Sequence, residues 1–320
     1  MLRSVAMNRK AWIQLSSLGA LWGASYLFIK VALEDVSPAM VVFVRTALAS
    51  LVLLPFALRA GALTGLRDSA GAFFLLALLQ VAAPFMLISV GQQEISTSLA
   101  GILVATAPIY TFLLAFRLER ENRPRGIGLV GVLLGVVGVG TLLGVDLDGG
   151  SKALLGGLAV VLASLGYALG AFYLRHRFTG TKPIGAVTVT MGASALMTLP
   201  FALATFPSSV PDLETFGALS ALGVFGTGIS FVLFYTLIAD IGPSRTSLVA
   251  YVAPGFAVVY GVTLLGEDFT PATLAGLILI LGGSYLAAEA RSSAPAAPDA
   301  PEADVTCAVP DAPLAPAARR

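Results

Sequence analysis

Residues 98–121, SLAGILVATAPIYTFLLAFRLERE, and residues 244–267, SRTSLVAYVAPGFAVVYGVTLLGE, state one pattern twice. In each, an apolar stretch carries one central proline (Pro108, Pro254), and a glutamate follows thirteen residues later (Glu121, Glu267). Proline has no N–H, so inside a helix it leaves a carbonyl without its partner. In hydrocarbon no water replaces that bond. A chain that makes this exception twice, 146 residues apart, reads as a duplicated membrane unit.

Composition points the same way. Of the 320 residues, 57% are hydrophobic and 12% charged, and the mean hydropathy is +0.89. Soluble domains carry about 25% charged residues, so the membrane class alone fits both values. A net charge of +1 gives no electrostatic case for a nucleic-acid partner. One cysteine, Cys307, excludes an internal disulfide and a cysteine-built metal site, and one histidine, His176, excludes a histidine-rich one. No metal and no cofactor are expected. Arg3, Arg9 and Lys10 precede an apolar run from Ala11 to Leu33. That run exceeds a signal-peptide core of roughly 7–15 residues, and no small-residue cleavage site follows, so it reads as a first transmembrane helix.

A spanning helix needs roughly 20 apolar residues. The sequence offers ten such stretches, at 11–31, 38–58, 70–90, 97–116, 126–144, 153–173, 184–204, 215–238, 246–265 and 271–289. With a cytoplasmic N-terminus, the inner segments receive Arg59, Arg67, Arg117, Arg120, Arg123, Arg125, Arg175, Arg177, Lys182, Arg245 and Arg291 as well as the N-terminal three. The outer loops receive Lys152, with Lys30 near a helix end, and the acids Glu34, Asp35, Glu94, Asp146, Asp148, Asp212, Glu214, Glu267 and Asp268. This is a positive-inside pattern, and it places both termini in the cytoplasm. Residues 1–10 form the cytoplasmic N-terminus, and 291–320, rich in Ala and Pro without apolar periodicity, read as a disordered cytoplasmic tail.

The duplication extends beyond the opening stretch. PFAL at 55–58 returns at 200–203, and at the same offset of 145 Pro38 matches Pro183, Lys30 matches Arg175 and Trp22 matches Tyr167. Gly131 and Gly138 match Gly276 and Gly283. The unit is therefore five helices long, 11–144 and again 153–290. Five is odd, so the second copy enters the membrane from the opposite face. The predicted fold is an all-α membrane protein of ten transmembrane helices arranged as two inverted five-helix repeats. Transporters use this plan, with a central site between repeats that rock to give alternating access; channels can be built this way too.

The chain resembles the EamA-type permeases of the drug/metabolite transporter superfamily. The resemblance covers residues 11–290. It rests on W-G-A-S-Y-L-F-I-K from Trp22 to Lys30, F-V-R from Phe43 to Arg45, and the proline with glutamate at +13 in helices 4 and 9. Ser25 stands where the family often has Asn, and Thr46 where it often has Phe; Glu119 is excluded as the family glutamate by spacing. The departures bear on substrate rather than on membership. The resemblance implies ten helices, cytoplasmic termini, and export or exchange of small organic molecules across the cell membrane.

Several residues are candidates for substrate contact. Arg45 lies seven residues into helix 2 from Pro38, about 10 Å along the axis. A charge at the bilayer centre costs about 2.5–3.5 kcal/mol on insertion scales, so it faces a cavity or a partner. It could anchor a carboxylate or phosphate, or snorkel outward to Glu34, Asp35 or Glu94. Gly19, Trp22, Tyr26 and Lys30 form a stripe on helix 1 that could line a cavity, although a lysine at a helix end also serves as an interfacial anchor. Gln80 shares a face with Pro84 and Gly91 and needs a hydrogen-bond partner in hydrocarbon. Thr106 and Tyr110 flank Pro108, and helices 8 and 9 add Ser230, Tyr235 and Tyr251. Each of these suits packing as well as binding; as a set they have the make-up of a mostly apolar pocket.

Other residues read as structural. Pro108 and Pro254 are expected to kink their helices and leave carbonyls free near mid-membrane, as fixed bends or as gating points. Glu121 and Glu267 are expected to complement the N-termini of helices 5 and 10, with Thr270-Pro271 as an N-cap followed by Pro at N1. Gly131 and Gly135 head a glycine-rich seam between repeats or between protomers, which leaves a homodimer open. No carboxylate lies deep in any span, so a cationic substrate lacks its counter-charge, whereas Arg45 and Lys30 favour an anionic or zwitterionic solute such as an amino acid. An intramembrane enzyme would need converging catalytic groups, and none is in view. A purely structural membrane protein is the remaining alternative. The expected partners are the lipid bilayer and a small molecule.

Overall fold

The computed structural model describes residues 9–64, 69–118, 126–145, 150–178, 180–241 and 243–292. Glu121 and the tail beyond residue 292 lie outside them. Every regular element among the described residues is helical: α1 Arg9–Ala32, α2 Pro38–Arg59, α3 Ala70–Glu94, α4 Thr97–Leu118, α5 Ile127–Val145, α6 Gly150–Arg177, α7 Pro183–Ala204, α8 Leu213–Ile241, α9 Val249–Leu264 and α10 Pro271–Ser292. Nine of these are long and apolar enough to cross a membrane. The tenth, α9, has 16 residues and is preceded by a single turn, Pro243–Thr246. α6 runs to 28 residues, well past the expected 153–173.

Short polar side chains start the helices where the sequence places them. Ser37 Oγ accepts from Met40 N at 3.2 Å with Pro38 at N1 of α2, and Thr270 Oγ1 accepts from Thr273 N at 3.1 Å with Pro271 at N1 of α10. Ser96 and Asp212 do the same for α4 and α8. Each cap satisfies an amide that the helix itself leaves without a partner.

The helices pair across the two halves of the chain: α2 on α7, α5 on α10, α1 on α9, α3 on α6, and α4 on α9. The α5–α10 contact is set by glycine. A Cβ on Gly131 would lie 2.5 Å from the Gly283 carbonyl oxygen, and one on Gly138 would lie 2.9 Å from Ile280 Cγ1. Gly276 meets Leu142 in the same way. Residue numbers rise on one helix as they fall on the other, so the pair is antiparallel. The glycine seam, Gly131 and Gly135 included, therefore lies between the two halves of one chain. On the outer surface Leu133, Val136, Leu155, Leu196 and Ile278 are 61–66% exposed. An apolar exterior of this kind, on helices long enough to span a bilayer, suits contact with lipid.

Two local departures from ideal helix recur. α3 contains a π-helical segment, Leu78–Ala82, and α8 contains another, Val224–Ile229. They begin 146 residues apart, the offset that also separates the two prolines. Pro84 accompanies the first, but Ser230 stands at the matching position of the second, so the widened turn does not depend on proline.

The prolines themselves behave differently from the expectation. α4 breaks at Ala105–Thr106, just before Pro108, yet the freed carbonyls are not left open. Leu103 O accepts from Thr106 Oγ1 at 2.7 Å, Val104 O from Ser164 Oγ at 3.3 Å, and Ala105 O from Ser284 Oγ at 2.6 Å. Hydroxyls from α6 and α10 thus replace the missing ladder. Pro254 instead sits inside the continuous helix α9, and the break on that side comes earlier, at Ser247–Leu248.

Candidate functional site

Arg45 is the centre of the candidate site. It projects from the middle of α2 and is 7% exposed. No carboxylate lies within ion-pair distance of it among the described residues. Its Nε donates to Thr227 Oγ1 at 2.7 Å, and its guanidinium carbon stands 3.7 Å from the centroid of the Phe85 ring. Tyr26 and Tyr167 lie within electrostatic range of the same group. Side chains from α1, α2, α3, α6 and α8 thus converge on one cation.

The widened turn in α8 helps to explain this placement. Thr227 Oγ1 donates to Leu222 O, five residues back, at 3.0 Å. That step belongs to the π-helical segment, and it leaves an oxygen lone pair to accept from Arg45. π segments recur at functional sites because they re-aim side chains in this manner. The face of Phe85 adds a cation–π contact, stronger when water is excluded. The Nη1 and Nη2 donors find no acceptor among the described residues. A largely buried guanidinium with free planar donors is suited to two parallel hydrogen bonds with a carboxylate or phosphate.

A second cluster lies one turn along α1. Trp22 Nε1 donates to Ser230 Oγ at 3.1 Å, and its ring lies tilted against those of Phe231 and Phe234, with centroids 6.2 Å and 5.4 Å away. Tyr235 packs on both phenylalanines, at 6.3 Å and 5.6 Å. Trp22, Ser230 and Tyr235 are therefore brought together.

The remaining candidates go elsewhere. The α1 stripe does not face one cavity: Gly19 packs on Val252 of α9, Trp22 faces α8, the Tyr26 ring lies beside Gly101 of α4 within electrostatic range of Arg45, and Lys30 turns to the end of α3. Lys30 Nζ donates to Gln92 O at 2.8 Å and Ile95 O at 3.1 Å, completing the last turn of α3. Gln80 packs its aliphatic stem on Gly170. Thr106 is consumed by the α4 break. Tyr251 donates to Ser284 O at 3.3 Å, beside that break, and the half-buried Tyr110 makes no side-chain hydrogen bond among the described residues. Glu267 does not complement α10, the helix that follows it. Its carboxylate accepts from Thr97 N, Ser98 N and Ser98 Oγ at 2.5, 2.9 and 2.6 Å, at the N-terminus of α4.

Phe85, Tyr167 and Thr227 were not among the residues singled out by sequence. Thr227 carried the best signal, a polar residue between two glycines in an apolar helix; Tyr167 carried the next, as the counterpart of Trp22.

Known proteins bear on this arrangement. The inner membrane transporter YedA of Escherichia coli is 28% identical over 282 residues, covering 85% of this chain and 90% of its own length. A transporter of Archaeoglobus fulgidus is 26% identical over 285 residues and is covered completely. A crystal structure of a protein 18% identical to this chain superposes with a TM-score of 0.63, covering 89% of this chain and 99% of the other, which shows a shared fold. The model of the EamA-like transporter family matches twice, at residues 10–143 and 154–288. Two matches over most of the sequence, on an all-helical chain with an apolar exterior, establish that this multi-pass membrane protein belongs to the EamA-like transporter family, within the drug/metabolite transporter superfamily.

Proposed function

We propose that the chain is a secondary transporter that exports or exchanges small organic anions or zwitterions, amino acids among them, by alternating access, with Arg45 as the anchor for the substrate's acidic group. The observation that carries this reading is a buried guanidinium held on one side by Thr227 and Phe85 while its planar Nη donors have no protein acceptor. A charge so placed is costly unless a ligand uses it. Tyr26 and Tyr167 add an aromatic wall suited to the organic part of such a solute.

The fold we propose for this cycle is ten spans in two inverted repeats, with both termini cytoplasmic and the protein in the cell membrane. The antiparallel course of α5 and α10, which are counterparts by sequence, supports inversion. So do two mirrored hydrogen bonds between α2 and α7. Ser37 pairs with Thr205 at 2.6 Å at one end, and Lys182 Nζ donates to Ala60 O at 2.6 Å at the other. Residues 37 and 60 are each 145 before residues 182 and 205, so the two bonds exchange partners under a two-fold rotation. Trp22 with Phe231, and Tyr167 with Phe85, exchange in the same way. The distribution of Lys and Arg supports the orientation.

The test is counterflow in proteoliposomes with a panel of amino acids, carboxylates and phosphorylated metabolites. Saturable uptake of at least one acidic or zwitterionic solute, abolished in Arg45→Ala, is the expected result. Uptake indifferent to that substitution would remove the anchor, and uptake restricted to cations would overturn the substrate class.

A further inference from the structure

We infer that Lys30 and Glu267 form a latch that holds shut the end of the pathway at the α3–α4 turn, and that its release is the opening step at that end. This rests on the alternating-access reading above, in which that end is the outer one.

The two charges approach one short segment from opposite repeats. Lys30, on α1, donates to the carbonyls of Gln92 and Ile95. Glu267, on the connection between α9 and α10, accepts from Thr97 N, Ser98 N and Ser98 Oγ. The cation thus holds the negative end of α3 and the carboxylate the positive end of α4, the favourable sense for both helix dipoles. α4 already carries its own cap, since Ser96 Oγ accepts from Leu99 N at 3.1 Å. Glu267 is therefore an added clamp, brought from 169 residues away along the chain. Hydrogen bonds to an ionised acceptor are the strong kind.

Two observations mark the clamp as a device rather than as ordinary packing. Gly261 is required for it, because a Cβ there would overlap Glu267 Oε2 and Ser98 Oγ. Finally, three buried polar side-chain atoms lack a partner among the described residues, and two of them, Gln92 Oε1 and Thr97 Oγ1, belong to the clamped segment. The closed arrangement leaves them unsatisfied, and water would satisfy them on opening. Gln92 Nε2 also donates to Tyr26 O at 3.0 Å, which links the clamped turn to the wall of the Arg45 site.

The test reads distance, not transport. In full-length protein carrying Cys307→Ser, the exposed positions Gln93 and Asp268 are changed to cysteine, spin-labelled, and measured by double electron–electron resonance in liposomes. The parent is expected to show one short distance, with an open population of roughly a tenth or less. Glu267→Gln and Gly261→Ala, which remove the carboxylate's charge and its space, should each raise the open population to above about a half. Ser98→Ala, which deletes one of three bonds and is the mildest change, should shift it in the same direction. Distributions unchanged in the variants that elute as monodisperse, helical protein would overturn the latch. Opening in a protein that moves no solute would refute the transport reading and leave the latch standing. Transport by a protein whose distances ignore Glu267 would do the reverse.

Discussion

Replacing Arg45 by methionine separates a binding role from a structural one by the sign of two measurements. Burying a guanidinium costs several kcal/mol after relaxation. Against this stand one hydrogen bond to Thr227, worth about 1.5–3 kcal/mol for a charged donor, and the Phe85 contact, about 2 kcal/mol when desolvated. These terms nearly cancel. Thr227 is not orphaned by the change, since its hydroxyl keeps Leu222 O. Arg45→Met should therefore alter folding stability by no more than about 1–2 kcal/mol, and an increase would not surprise. Substrate binding should respond very differently. Two charged hydrogen bonds from Nη1 and Nη2 are worth about 3 kcal/mol together at the low end, which is roughly a hundredfold in Kd. Thermal unfolding in detergent gives the first quantity, and concentration-dependent counterflow of an acidic solute gives the second. A melting temperature far below the parent's, with an unaltered half-saturation concentration, would show that Arg45 is a structural residue and refute the anchor.

Three further outcomes follow from the packing. Gly131→Ala should destabilise by about 1–3 kcal/mol through overpacking against the Gly283 carbonyl, while Gly140→Ala, where a Cβ meets nothing within 4 Å, should leave the unfolding midpoint unchanged or raised. Ser284→Ala should cost about 1–3 kcal/mol by orphaning Ala105 O at the α4 break; thermal unfolding of these three variants beside the parent checks both expectations. Asp212, outside the membrane at the start of α8, has its carboxyl pKa held below the ordinary 3.8, first by the Thr215 N–H it accepts. Its contribution is present above that value and disappears as the pH falls through the lower folded one. Asp212→Ala should therefore lose part of the parent's acid sensitivity below about pH 4, read from unfolding midpoints across an acid series; equal slopes would contradict the cap.

What could be read from sequence was whatever has a local physical cause. Apolar runs of spanning length located the helices, and Ser37-Pro38 and Thr270-Pro271 located two of their starts. Arg45 drew attention because a charge amid apolar residues carries a cost wherever it points. Phe85 and Tyr167 carried no such cost, and only the convergence of α2, α3 and α6 turns them into walls of a site. The π turns escaped because Ser230 gives no hint of the geometry that Pro84 suggests. Glu267 misled for the opposite reason. Its nearest helix in sequence is α10, but Thr270 already caps that helix, and the amides still open to a carboxylate belong to α4. Proline likewise announces a lost bond without saying where the helix yields: the break begins three residues before Pro108 and seven before Pro254.

The near two-fold relation makes each departure from it informative. The counterpart of Arg45 in the second half is Thr190, which is buried and turns its hydroxyl to Ala186 O and Val187 O, both at 3.0 Å. The counterpart of its partner Thr227 is Val81. One half thus supplies a cation with an acceptor to orient it, and the other supplies two groups that need no ligand. The aromatic positions are kept on both sides, as Phe85 with Tyr167 and as Phe231 with Trp22. Tyr26 of the charged cluster and Trp22 of the neutral one are four residues apart on α1, about 6 Å along its axis. An inorganic anion would use Arg45 alone and leave the second cluster idle. A solute with an acidic group at one end and an apolar or aromatic body of about that length would use both, and for that reason chain length and apolar character, at constant charge, are the variables to scan in the counterflow panel. If affinity for acidic solutes does not rise as the apolar body approaches that length, the Trp22 cluster is packing and the site ends at Arg45.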